Sequence, residues 1–153
     1  MRRAALAGVV LLACVPAGGG EPGRRPAPAQ EVRMERLDDE VLKACGPEGE
    51  AIALVRVRDV TLHAPGSRSE HVKADLAVEE TLCGSLPATL VAWSFTSHGD
   101  TKVTAGHRYV MAVGAAQGYA RFGIGSFVEV PPGREAEAVA LHRQALAALG
   151  RGK

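Results

Sequence analysis

Ser94, Ser97, His98 and Asp100 stand within seven residues and are the types of a nucleophile, a general base and its orienting acid. Such sets are assembled in space from distant segments, and neighbours in one polar loop rarely meet in the required geometry. Ser97-His98-Gly99-Asp100 reads instead as a loop turning at Gly99. His98, Asp100 and His107 are metal-ligating types, but neither a fourth ligand nor helical spacing accompanies them. His63 and His71 flank the turn-rich stretch His63-Ala64-Pro65-Gly66-Ser67-Arg68-Ser69. A closed hairpin there would bring them together as a pH-sensitive contact or an adventitious metal site; solvated strand-end histidines are the simpler account. Glu79 and Glu80 are neighbours on an extended segment and point to opposite faces, so they cannot act as a paired acid and base. Gly18-Gly19-Gly20 follows no strand, and Gly123-x-Gly125 lies inside one, so no phosphate-cradling loop is present. Trp93 shares its strand face with Val91 and Phe95 and reads as core rather than as a binding aromatic. The spacing yields no catalytic set, no metal ligands and no cofactor motif.

The elements that would carry these residues are mostly strands. From Glu31, Met34, Leu37, Val41 and Cys45 recur at intervals of three and four, which predicts a helix stopped by Gly46-Pro47. The period then becomes two. Val72, Ala74, Leu76, Val78 and Leu82 alternate with His71, Lys73, Asp75, Glu79 and Thr81, so residues 71–82 form a strand with one buried face. Ala51 to Leu62 is also strand-like, but its apolar phase switches between Val55/Val57 and Val60/Leu62. A β-bulge near Arg58-Asp59 would make that switch. Further strands are expected at Ala88–Phe95, Arg108–Ala115 and Tyr119–Val130, the last bent at Gly123 and Gly125. After Pro131-Pro132-Gly133, residues Arg134 to Leu149 read as a helix with Ala138, Leu141, Ala145 and Leu149 on its apolar stripe and His142 as a partly buried neighbour.

Five long strands in about 85 residues favour a mainly β fold, a five-stranded OB-like barrel flanked by an N-terminal and a C-terminal helix, because closure removes exposed edges. The alternative is an α+β antiparallel sheet with packed helices.

The N-terminus carries an address. Arg2 and Arg3 precede the uncharged run Ala4 to Ala13, which is too short to span a bilayer and ends in Leu11-Leu12-Ala13-Cys14. This resembles a bacterial lipoprotein export signal: residues 1–13 would be a signal peptide and Cys14 the lipidated first residue of the mature chain. Cleavage after Ala17, giving a secreted or periplasmic soluble protein, is the competing reading. Residues 14–30, rich in Gly and Pro, would form a flexible linker between the lipid and a domain over 31–150. Beyond the signal the chain has 16 basic and 17 acidic residues, with no excess to attract nucleic acid, and only 4% aromatics for stacking bases. In an oxidising compartment the remaining Cys45 and Cys83 form a disulfide or stay as two buried thiols.

Leu76-Ala77-Val78-Glu79-Glu80-Thr81-Leu82-Cys83-Gly84 is similar to the second strand and turn of netrin-like domains, the OB barrels shared with tissue inhibitors of metalloproteinases. Gly106-His107-Arg108-Tyr109 resembles that family's entry into its fourth strand, and Phe122-Gly123-Ile124-Gly125-Ser126 its small-residue segment. The resemblance covers about residues 50–130 and implies the same barrel. The inhibitors' zinc-chelating N-terminal cysteine pair has no counterpart, since Cys45 opens no Cys-x-Cys and Cys14 would be acylated. The expectation is therefore a non-enzymatic, lipid-anchored cell-envelope protein that binds a protein or small ligand. A protease-inhibitor-type module and a small exported enzyme using the His98/Asp100 loop are the alternatives. By analogy with OB barrels the binding face would centre on His71, Lys73 and Asp75, with loop 63–69 and segment Ala115–Gly118 beside it.

Overall fold

The uninterrupted apolar run Ala51–Val55 is buried at every position rather than at alternate ones. It opens strand β1 (Ala51–His63), which has apolar partners on both sides. Ala53, Val55 and Val57 face a cluster inside the barrel with Val72, Ala74, Leu76, Ala92, Tyr109, Met111, Val113 and Phe122. Ile52 and Leu54 face a second cluster outside it, formed with Leu37, Leu42, Leu82, Ala138, Val139 and Leu146. A strand buried on both faces reads as a continuous run, which is why period two fails here.

The computed structural model describes residues 33–47, 49–65, 70–95, 102–116 and 119–151. The expected signal peptide, Cys14, the linker, and Ser97, His98 and Asp100 lie outside these residues. Among the described residues, no helix is long and apolar enough to cross a membrane.

After β1 come β2 (His71–Cys83), β3 (Thr89–Phe95), β4 (Arg108–Ala116), β5 (Tyr119–Arg121) and β6 (Phe127–Val130), with helices α1 (Asp39–Lys43) and α2 (Glu135–Ala148) before and after the strands. The strands run in the order β1-β2-β3-β5-β4, and a β1–β4 ladder closes the ring. All pairings are antiparallel except β3–β5, where Ala92 meets Ala120 and Trp93 meets Arg121 in parallel. This is a closed five-stranded, OB-like barrel rather than an open sheet. The register slips between Val57 and Asp59 opposite Leu76 and Asp75, so Arg58 is the extra residue of the expected bulge.

The single strand expected over Tyr119–Val130 is two short strands on the same edge of β4. Gly114 pairs with Arg121, but Met111 pairs with Phe127, so three residues are looped out between the pairings. Ser126 ties this excursion shut: its Oγ accepts from the Gly123 N–H and donates to the Gly123 carbonyl, both at 2.7 Å. Gly125 there takes φ +78°, a conformation that costs glycine little.

The N-terminal helix is five residues long, not the expected run from Glu31 to Cys45. Asp38 is extended, and the Leu37 N–H is spent on a distant acceptor, the His142 ring. Met34, Leu37 and Val41 still pack on the outer cluster, so the apolar spacing marked burial correctly and conformation wrongly. Cys45 and Cys83 are joined in a disulfide, with Cα atoms 6.2 Å apart, linking the segment after α1 to the end of β2. At Gly84, just beyond, φ is +80° and a Cβ would lie 2.9 Å from the Ala51 Cα, so the turn requires glycine.

Helix α2 buries Ala138, Val139, His142 and Leu146, a face rotated from the expected Ala138/Leu141/Ala145/Leu149 stripe. His142 is at its centre and wholly buried, where partial burial was expected. Its Nδ1 donates to the Ala138 carbonyl (2.8 Å) and its Nε2 accepts from the Leu37 N–H (3.1 Å). With both nitrogens satisfied the ring packs as core, which fixes the neutral, Nδ1-protonated form. Burial pushes its pKa below the usual imidazole value, the Ala138 carbonyl opposes this, and Arg36 pushes it further down.

Candidate functional site

In β2, His71, Lys73 and Asp75 alternate with buried Val72, Ala74 and Leu76, so they project from the outside of the barrel. Their cross-strand partners carry the face onto both neighbours. On β1 they meet His63, Thr61 and Asp59; on β3, Phe95, Trp93 and Val91. The three expected binding residues therefore share one continuous surface over β1, β2 and β3.

That surface is aromatic at one end. The His63 and His71 rings stack with centroids 4.9 Å apart and planes 3° from parallel. Trp93 lies 5.3 Å from His63 and 5.4 Å from His71. Phe95 stacks on His71 at 5.5 Å and on Trp93 at 6.4 Å, and Tyr119 of β5 meets Phe95 edge-on at 5.9 Å. Phe95 is 59% exposed and Tyr119 37%. These distances are those of favourable ring pairs, each contributing about 0.5–1.5 kcal/mol beyond area burial. Nε2 of His63 is buried inside this stack and has no hydrogen-bond partner in the protein.

The other end is polar. Arg58, Asp59, Lys73, Asp75, Leu76, Thr89, Leu90 and Val91 line a shallow groove of about 670 Å³. Asp59 stands directly opposite Asp75, an unfavourable like-charge rung. Oδ1 of Asp75 is buried and receives no hydrogen bond from the protein.

One expectation about β3 is corrected. Trp93 is not core: Val91, Trp93 and Phe95 face outward, while Ala92 and Ser94 point into the barrel. The interior at this level takes only small side chains, so the more apolar face of the strand is the outer one. Ser94, fully buried, is turned away from the outer face and joins no surface nucleophile set. Tyr119 was not singled out from sequence; a lone aromatic at the edge of a glycine-containing run carries no periodic signal.

Several charged groups away from this face are paired with one another. His107 Nδ1 meets Glu129 Oε1 at 2.6 Å. Arg108 binds Glu79 at 2.7 Å and lies 3.4 Å from Glu135. Glu80 pairs with Arg143 at 2.6 Å, so Glu79 and Glu80 do take different partners. Among the described residues, no group of three or more His, Cys, Asp or Glu side chains is placed to hold a metal ion. No protein-family model matches the chain, and neither does any curated protein.

Proposed function

We propose that this chain is a non-enzymatic, lipid-anchored protein of the bacterial cell envelope whose OB-like barrel binds a partner through the outer face of β1, β2 and β3. The observation that carries this is the ring strip His63, His71, Trp93, Phe95 and Tyr119, joined ring to ring on the outside of a closed barrel. Apolar rings of this size are ordinarily buried, and a contiguous exposed patch of them marks an interaction surface. Its position on β2 and β3, at the His63/His71 end of the β1–β2 ladder, matches the usual binding face of OB barrels. The N-terminal residues supply the address, with Cys14 as the acylated residue, and the netrin-like motifs fit the same barrel without the inhibitors' zinc-chelating terminus.

Carbene footprinting tests the binding face without knowledge of the partner. Trp93, Phe95 and Tyr119 should label less in intact envelopes than in purified protein, while residues on the exposed side of α2 should label equally. Equal labelling of the three aromatics in both samples refutes the reading. Intact mass of detergent-extracted protein tests the anchor: a mass without acyl chains on Cys14 removes it.

A further inference from the structure

Resting on that binding face, we infer that its ligand is an uncharged glycan, with sugar C–H faces against the Trp93–Phe95–Tyr119 rings and sugar hydroxyls in the groove beside Asp75. Charge balance is the first argument. Arg58 and Lys73 line the groove together with Asp59 and Asp75, two positive groups against two negative ones. Exposed Arg121 of β5, in register with Trp93, adds one isolated cation beside the rings. A phosphate-bearing polymer is held by a run of cations, and this face has none. A strongly basic partner would need an acidic surface, which is equally absent.

The second argument is hydrogen bonding. Oδ1 of Asp75 has no donor within the protein, and the Asp59–Asp75 rung leaves two carboxylates side by side. An acceptor left unmet in a partly buried site is costly. Hydroxyl groups entering the groove supply the missing donors once the Asp75 carboxylate turns to meet them. The third is backbone pairing. From His71 to Leu76, β2 is laddered to both β1 and β3, so the middle of the face has no strand edge to which an extended peptide could add. Recognition must come through side chains: rings for apolar faces and carboxylates for donors. A polymer of hydroxyl-rich rings offers both. The face runs from Phe95 to Thr89, about 20 Å along a strand, so it accommodates a short oligosaccharide rather than one ring.

The test is the detergent-solubilised full chain on an array of immobilised glycans, neutral chains beside sulfated and phosphorylated ones. Any bound glycan is then titrated while following the emission of Trp93, the only tryptophan in the chain. The expected result is a saturable emission change with a neutral oligosaccharide at up to millimolar concentration. Phe95→Ala, Tyr119→Ala and Asp75→Asn should each weaken it about tenfold, the worth of one good contact, and Arg143→Ala on α2 should leave it unchanged. Far-ultraviolet circular dichroism identifies any variant that fails to fold, and the exposed Tyr119 position keeps one variant free of that problem. Absence of every neutral glycan from the bound set overturns the inference, as do preference for charged chains and binding indifferent to all three substitutions. If the footprint in envelopes persists while neutral glycans fail to bind, the glycan is wrong and the binding face stands. If both fail, the face falls as well.

Discussion

Protonation of His142 should loosen the attachment of the N-terminal segment to α2. The ring is neutral because Nε2 must accept from the Leu37 N–H while Nδ1 donates to the Ala138 carbonyl. A proton on Nε2 removes the acceptor and places a charge in the apolar layer between helix and barrel. The folded-state pKa lies below the ordinary imidazole value near 6.5, so between the two the unfolded chain binds more protons than the native one. Stability from this group is therefore complete above pH 6.5 and is lost as pH falls toward the folded pKa. The slope approaches about 1.4 kcal/mol per pH unit, and the loss between pH 7 and pH 5 reaches up to about 2 kcal/mol. Glu135 and Glu137 are shifted below the ordinary carboxylate value, Glu135 by backbone N–H donors and Glu137 by Arg134, so their contributions persist until lower pH. Urea unfolding at pH 7, 6, 5.5 and 5 measures the effect in the natural chain and in His142→Gln, whose amide does not titrate. The natural chain should lose more stability across the series, the difference growing steadily below pH 6.5. Parallel pH dependences in the two proteins would refute the reasoning.

Cys83→Ser should destabilise the barrel by up to roughly 4 kcal/mol, the loop-closure value for a crosslink spanning 38 residues, read by denaturant unfolding with Cys45→Ser expected to match. Gly84→Ala should cost more than about 1 kcal/mol, because it combines a positive φ with a contact against the Ala51 backbone; a neutral result in thermal unfolding would contradict the geometry. Phe95→Ala should cost about 1.5 kcal/mol, the lower end for three ring pairs at about 0.5 kcal/mol each, since the side chain is mostly exposed. A larger loss by the same assay would make the strip a structural clasp rather than a binding surface.

The barrel was legible in the sequence where one face of a strand is wet. His71 to Leu76 alternates cleanly because its outer face meets solvent, and the phase switch at Arg58 marked a real bulge. Leu82, however, expected on the same face as Val72, Ala74 and Leu76, is buried with Cys83 in the outer cluster beyond two further register shifts. Periodicity failed wherever tertiary partners changed the meaning of an apolar residue. Over Val91–Phe95 of β3 only Ala92 and Ser94 point into the interior, so the large residues there face outward and inside and outside are the reverse of the expectation. In α2 a histidine with both nitrogens bonded occupies the middle of the buried face, and hydropathy cannot register that satisfaction. Alternation alone placed His71, Lys73 and Asp75 on the outer face of the barrel. The ring strip beside them depends on cross-strand register, which no single segment encodes.

The two sides of this barrel should breathe very differently. Strand β1 has a hydrogen-bonded neighbour on each edge and an oily layer against each surface over Ile52–Val55, so those amides exchange with deuterium only when the whole domain opens. The β3–β5 seam rests on two paired positions beside a three-residue strand, and it should part first in partial unfolding. The stave most easily lifted thus adjoins Trp93, which makes the ring strip the most deformable part of an otherwise rigid cylinder.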